Sequence, residues 1–437
     1  MRPHICDCSP MCVLRAINPL KIRATRTASP YVTELGLAQR LAGYAVLAND
    51  PALRIAAADH WTHSEPYCRQ VLAATRKLLN GHGWPIGPGR DHDDRAIAAF
   101  REVAERPADP GAEVRLRERI AVLLDRDREL TSAAGQAVEY ADANVYLNYF
   151  RGAEYQPVVP PVGPGRLSRL TPSARKRAPG GDEVLVVIPF ADRHGTSRLR
   201  NLLACLHALR DQSMSPARYR ITVVECDEFP RWRAAIEPLA DDYLHIRDCG
   251  PFNKSWTINV GVRATLRAAR TLCLLDADII ADRDFLARNH ARFADADNDA
   301  HLPHTDLLSL DEPASDNAIE RRCAAGAPEA PLAAARGLLL RDVPGACLWL
   351  RPEVFHRVGG FDERYRGWGG EDEDMLVRVT RAASVVRYDD VFVHLAHRSP
   401  ARHRPDGEPF NAHLGVGMWT GAYGWGDPAG PIEPWLD

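Results

Sequence analysis

Four consecutive acids, Glu371, Asp372, Glu373 and Asp374, stand between Trp368-Gly369-Gly370 and the helical pattern Met375 to Val379. Acids in the first turn of a helix are favoured by its macrodipole, which accounts for one or two of them. The indole and the glycine pair directly ahead of them ask for more. Glycine lets backbone approach a ligand closely, and an indole offers an apolar face on which a sugar ring can stack. A carboxylate beside such a platform is placed to take a proton from a bound hydroxyl.

A second group, Asp276-Ala277-Asp278, comes straight after the apolar run Leu272-Cys273-Leu274-Leu275. Two carboxylates at the end of a buried strand offer hard oxygen ligands to Mn²⁺ or Mg²⁺. His394 and His397 add nitrogen ligands near the far end of the chain. In a fully extended segment they would face opposite ways, so both reach one ion only if the chain turns there. Either could instead be an ordinary structural histidine. Two carboxylates and a histidine leave coordination positions for phosphate oxygens, as a nucleotide-sugar site needs. No G-x-G-x-x-G follows the first strand and no P-loop lysine motif is present, which argues against a dinucleotide enzyme or a P-loop NTPase.

The elements that must hold these groups are legible. Val184-Leu185-Val186-Val187-Ile188 is a continuous apolar run, as expected of a strand buried on both faces. Helical spacing over Leu199–Leu209, a strand at Ile221–Val224, a helical stretch near Trp232 and a strand at Tyr243–Ile246 follow. A helix over about 255 to 269 and a strand at Thr271–Leu275 complete the alternation. The pattern predicts an α/β domain with a mostly parallel central sheet, whose ligands sit outside the carboxyl ends of the strands. Asp276 begins at such an end.

Residues 31 to about 150 read as helical, with apolar spacing in Tyr31–Leu47, Val71–Leu79, Ala96–Val103 and Ile120–Leu124. Nothing there gathers into a site, and His60, His63 and His82 read as surface histidines. The expected division is a helical accessory domain over 1–155, a Pro/Gly/Arg-rich linker over 156–181, the α/β domain over 182–400 and a tail over 401–437. Residues 312 to 341 read as an Ala-rich insertion.

Composition narrows the function classes. The chain has 437 residues, 45% hydrophobic and 26% charged, as in soluble globular proteins. A net charge of -3 gives no support for a nucleic-acid partner, which would usually show a basic face, so none is expected. No run is apolar enough to span a bilayer and the N-terminus lacks a signal-peptide core, so a cytoplasmic location is expected. Ten cysteines without regular spacing read as reduced thiols, although Cys6, Cys8 and Cys12 could hold a metal. Only four lysines occur, at 21, 77, 176 and 254.

Residues 184 to 400 resemble the metal-dependent, inverting β-1,4-galactosyltransferase type of glycosyltransferase, whose nucleotide-sugar domain has the GT-A fold. The resemblance rests on Ile188-Pro189-Phe190-Ala191-Asp192-Arg193, on Phe252-Asn253-Lys254 with Asn259-Val260-Gly261, on Asp276-Ala277-Asp278, and on Trp368-Gly369-Gly370-Glu371-Asp372. His397 matches the family's metal histidine, and His394 stands where the animal enzymes use methionine. The resemblance implies a hexosyltransferase carrying galactose, a related hexose or an N-acetylhexosamine from a UDP-sugar to a hydroxyl. The acceptor would be a carbohydrate, a lipid-linked sugar or a small metabolite. Asp278, His397 and His394 would hold Mn²⁺ or Mg²⁺, and Pro189, Phe190, Arg193, Phe252, Asn253, Lys254 and Asp276 would bind the donor. Asp372 would be the base, assisted by Glu371, with Trp368, Gly369 and Gly370 at the acceptor. Ala191 and Val343-Pro344 depart from the family's nucleotide loop and its aromatic donor lining. Another nucleotide-sugar donor and a non-catalytic carbohydrate-binding relative are the alternatives.

Overall fold

The computed structural model describes residues 22–24, 31, 35–51, 53, 57–80, 94–170, 183–193, 195, 197–398, 401–422 and 424–431. Cys6, Cys8, Cys12 and His82 lie outside them. Five helices form the N-terminal bundle: α1 (Leu37–Asn49), α2 (Ala58–Asn80), α3 (Asp94–Glu105), α4 (Pro110–Leu124) and α5 (Arg128–Asn144). Helix α1 is buried continuously from Leu41 to Leu47, because the other helices surround it.

Two sheets follow. The larger runs β1 (Ile22–Ala24), β11 (Val385–Arg387), β7 (Ala300–Leu302), β10 (Cys347–Leu350), β6 (Thr271–Leu275), β3 (Val184–Phe190), β4 (Tyr219–Asp227) and β5 (Asp242–Arg247). Every pair in it is parallel except those made by β10, so the expected mostly parallel sheet is present. All seven residues of β3 are buried, which is why its sequence shows no alternation. Helix α6 (Ser197–Arg210) packs on one face of this sheet and α7 (Lys254–Thr265) on the other. Gly261 makes the second contact possible, since a Cβ there would meet Val187 Cγ1 at 2.6 Å.

The smaller sheet runs β12 (Val393–His394), β8 (Asp306–Leu310), β9 (Arg336–Arg341) and β2 (Leu147–Arg151). Strand β2 lies inside the segment read as helical, and it is buried throughout. It pairs antiparallel with β9, so the N-terminal part supplies an edge of this sheet. The segment read as an Ala-rich insertion contains α8 (Glu312–Ile319) and β9 itself. Downstream of β2, Tyr155, Val162 and Leu167 are buried in the core beneath the large sheet. Val162 and Leu167 are packed within residues 156–181, where composition alone suggested a linker. His63, read as a surface histidine, sits 4.4 Å from the Tyr146 ring, centroid to centroid. Among the described residues no helix is long and apolar enough to cross a membrane.

Candidate active site

The chain leaving β6 turns so that Asp278 meets the end of β12. Leu395 N donates to Asp278 O at 2.8 Å and Ile280 N to Val393 O at 3.1 Å. Strand β12 stops at His394, and the break brings both histidine rings to one side, their centroids 5.1 Å apart. The turn required for a shared ion is therefore present. His397 Nε2 lies 2.9 Å from Asp278 Oδ2, and His394 Nε2 lies 3.4 Å from Asp278 Oδ1. One ligand atom from each of the three lies within 4.8 Å of the others.

The donor set fits a divalent cation. Asp278 is buried and its Oδ1 makes no hydrogen bond, an expensive state for an oxygen that nothing else satisfies. His397 donates from Nδ1 to Arg398 O at 2.9 Å, which orients the ring with Nε2 toward Asp278. Ser309 Oγ stands 3.4 Å from His394 Nδ1 in the same outer position. Burial alone would raise the Asp278 carboxyl, but His394 and His397 outweigh it and hold it well below the usual range. Burial likewise opposes the charged form of His394, and Asp278 overrides it to raise that ring. Asp276 is not a second carboxylate of this cluster; it turns toward Lys254.

Lys254, the first residue of α7, gathers the acids. Its Nζ lies 2.9 Å from Asp276 Oδ1, 2.8 Å from Asp372 Oδ2 and 3.6 Å from Glu371 Oε1. Burial would depress the ammonium, yet Asp276 and Asp372 hold its pKa well above the usual value. Glu371 is pushed up to about 7, by burial first and by the charge of Asp372 second. A single ammonium thus joins the end of β6 to the start of α9 (Glu371–Ala382). Lys254, Asp276 and Asp372 share a narrow cleft with Pro344, Gly345 and Ala346. A side chain at Gly345 would put Cβ 2.2 Å from Asp372 Oδ2, so this position must be glycine for the carboxylate to sit where it does.

Gly369 and Gly370 have φ of 92° and 96°, a left-handed backbone that explains the glycine pair. Gly370 caps α9, and all four acids occupy its first turn. Only Glu371 and Asp372 reach the cleft cluster around Lys254. Asp374 bonds Arg378 and the Gly417 N–H, while Glu373 is buried and pushed up to about 7, by burial first and by Asp374 second. Trp368 is 39% exposed, and the Arg402 guanidinium lies 4.5 Å from its ring centroid. Asn411 Nδ2 donates to Gly369 O at 2.7 Å, and Trp419 Nε1 to Gly359 O at 2.8 Å. The segment read as a tail is therefore packed against this loop.

The expected donor residues divide. Phe190 is 2% exposed and its ring belongs to the core. Pro189 is inside β3, paired with Val224. Asn253 is fully buried; its Oδ1 accepts from Trp256 N to cap α7 and its Nδ2 donates to Glu363 O. The Phe190 ring is thus committed to the core, Pro189 to the strand and Asn253 to the helix cap. Arg193 donates to the carbonyls of Gly250 and Asp248, linking the end of β3 to the end of β5. Phe252 is half-buried beside β5. Lys254 and Asp276 are brought together in the cleft.

Gly345, Ser309, Arg402 and Asn411 were not singled out from the sequence as site residues. Gly345 had a local signal in Val343-Pro344-Gly345, whereas the other three acquire their positions only through tertiary contacts.

Residues 340–398 match the model of a family described as the N-terminal domain of galactosyltransferase. That segment holds Trp368 to Asp372, His394 and His397, so the glycosyltransferase resemblance read from the motifs is borne out there. No curated protein matches the chain. Among solved structures, the chain is similar to the catalytic domain of Drosophila beta1,4galactosyltransferase 7, crystallised with xylobiose, at 17% identity and TM-score 0.30. That similarity covers 51% of this chain and 76% of the fly one. The mannosyltransferase PcManGT from Pyrobaculum calidifontis, in complex with GDP-Man and Mn2+, shows 16% identity and TM-score 0.31, over 53% of this chain and 62% of its own. The segment match, not these superpositions, ties the chain to glycosyltransferases.

Proposed function

We propose, from the premise that residues 340–398 carry a glycosyltransferase family's segment, that the protein is a metal-dependent inverting glycosyltransferase using a nucleoside-diphosphate sugar. The observation that carries this reading is the meeting of two clusters at the carboxyl end of β6: Asp278 with His394 and His397, and Asp276 with Lys254 and Asp372. The two imidazoles favour a transition ion such as Mn²⁺ over Mg²⁺, which prefers an all-oxygen shell. A cation held there would neutralise charge developing on the leaving diphosphate.

The chain's own residues do the rest. Asp372 takes the proton of the acceptor hydroxyl as its oxygen forms the new bond to the anomeric carbon. The bond from that carbon to the phosphate oxygen breaks, and the nucleoside diphosphate leaves with the electron pair. One displacement from the opposite face inverts the centre. Lys254, bonded to both Asp372 oxygens, fixes the orientation of that carboxylate relative to Asp276. Trp368 offers the acceptor its exposed indole. UDP is the expected nucleotide, and its sugar is galactose or a related hexose or N-acetylhexosamine.

Calorimetry of UDP binding with and without Mn²⁺ tests this reading. UDP should bind only with the ion present, and Asp278→Ala should abolish that Mn²⁺-dependent binding in a folded protein. Binding of another nucleotide in preference to UDP would reassign the donor. Cation-independent binding would overturn the metal centre.

A further inference from the structure

The ligands His394 and His397 stand on a segment that leaves a two-residue strand, and nothing in the segment itself makes it rigid. Rigidity comes from outside. The peptide group of Ala396, directly before His397, is gripped on both sides. Its N–H donates to Ser315 Oγ of α8 at 2.8 Å. Its carbonyl accepts from Arg200 NH2 at 2.7 Å and from Asn201 Nδ2 at 3.0 Å, both on α6. The three gripping side chains are buried, Ser315 and Asn201 completely. Arg200 is itself fixed, by Glu312 Oε2 at 2.7 Å and by Asn201 Oδ1 at 3.0 Å.

A second hold lies upstream. Tyr31 OH donates to Phe392 O at 2.8 Å and accepts from Phe392 N at 2.6 Å, two residues before His394. Tyr31 is fully buried, so no water substitutes for it. All four gripping residues lie outside the segment that matches the glycosyltransferase family model.

We propose that Ser315, Arg200 and Asn201, with Tyr31 behind them, are the positioning residues of the metal centre, holding the 392–397 segment so that both imidazoles aim at Asp278. This rests on the metal reading of Asp278, His394 and His397. The physical reason is that a three-ligand site gains affinity when its ligands are ordered before the ion arrives. Outer partners of metal ligands typically contribute about 10- to 100-fold in affinity. Here the outer partners act on the backbone between the ligands, and so govern both rings at once.

The test is Mn²⁺ binding alone, by calorimetry and by the electron paramagnetic resonance of the bound ion, without nucleotide or acceptor. Ser315→Ala should weaken Mn²⁺ binding by about 10- to 100-fold, and Ser315→Thr, which retains the oxygen, should restore most of it. Ser64→Ala is the control. Ser64 Oγ is also buried and accepts from two backbone N–H groups, Tyr146 and Leu147, but it lies in the helical bundle. It should lower the unfolding midpoint without changing Mn²⁺ affinity. Should Ser315→Ala not fold, Asn201→Ala reads the same grip from the opposite side. Unchanged affinity in the Ala396-grip variants, or an equal loss in Ser64→Ala, overturns the proposal. Asp278→Ala keeps the two failures apart: if it too leaves Mn²⁺ binding intact, the metal reading itself is wrong.

Discussion

Asp372 and Glu371 are neighbours with different surroundings, and single substitutions separate their roles. Asp372→Asn keeps the size and much of the hydrogen bonding to Lys254 but cannot accept a proton. Transfer should fall by about 10² to 10⁴, with Mn²⁺ and nucleotide affinity little changed; near-full transfer in this variant would remove Asp372 as the base. Trp368→Ala should instead raise the acceptor KM with kcat little altered, because the loss is a stacking surface. A third expectation concerns protons. Glu371 and Glu373 are each raised by burial, with an adjacent aspartate adding to it, to about 7. A carboxyl raised in the folded state binds more protons than the unfolded chain between its ordinary value and 7. Stability must then fall as pH rises through that window. The metal-free unfolding midpoint should drop between about pH 5 and 8 on this account, and Glu373→Gln should flatten the drop in calorimetric scans. An unchanged slope would show that Glu373 is not the titrating group. At this scale the sequence was readable where chemistry demands rare combinations, as in Trp368-Gly369-Gly370-Glu371-Asp372. The structural duties of Phe190 and Asn253, in the core and at a helix cap, were not readable, because a family motif does not separate residues that build the frame from those that meet a ligand.

Elements built from long apolar runs or clear periodicity were legible: β3, β4, β6 and α7 all stand where hydrophobic pattern placed them. Strand β2 was not. Leu147–Arg151 continues the helical half without a break in composition, and pairing with β9 decides its state. Strand β12 is too short to carry a pattern, and its end is what aligns the two histidines. The contact of α7 with the sheet gives a prediction of its own. Gly261→Val would drive side-chain atoms into Val187 and Val224, where even a Cβ stands 2.6 and 2.9 Å away. Overpacking of this kind costs about 1–3 kcal/mol, which denaturant titration would read as a lower midpoint. Since α7 carries Lys254, the cleft should loosen with it, and a variant of full stability would show that the helix can shift without cost.

For the whole molecule, the proposed accessory role of residues 1–155 has to accommodate shared construction. Strand β2 completes the smaller sheet, and Glu113, Arg151, Tyr149 and Arg336 form a buried polar chain from α4 to β9. Arg336 continues it to Asp311, the cap of α8 that bears Ser315. A protein beginning near Gly180 would lose Tyr31, β2, Tyr155 and Val162 together. We expect it to be insoluble or to bind Mn²⁺ poorly; a soluble fragment with full Mn²⁺ affinity would show that the α/β part stands alone. Composition marked residues 156–181 as a linker because prolines and glycines lack side-chain pattern, yet Val162 and Leu167 within it are core residues.

Lys254 is the last lysine of the chain, so the catalytic half offers amine-selective reagents a single side-chain address. Acylation needs the unprotonated amine, and Asp276 and Asp372 keep the proton in place. The reagent should therefore modify the exposed Lys77 while leaving Lys254 silent at neutral pH until a carboxylate is removed. Asp276→Asn or Asp372→Asn should wake it, and the mass of one tryptic peptide would report the electrostatic state of the cleft without any substrate in hand.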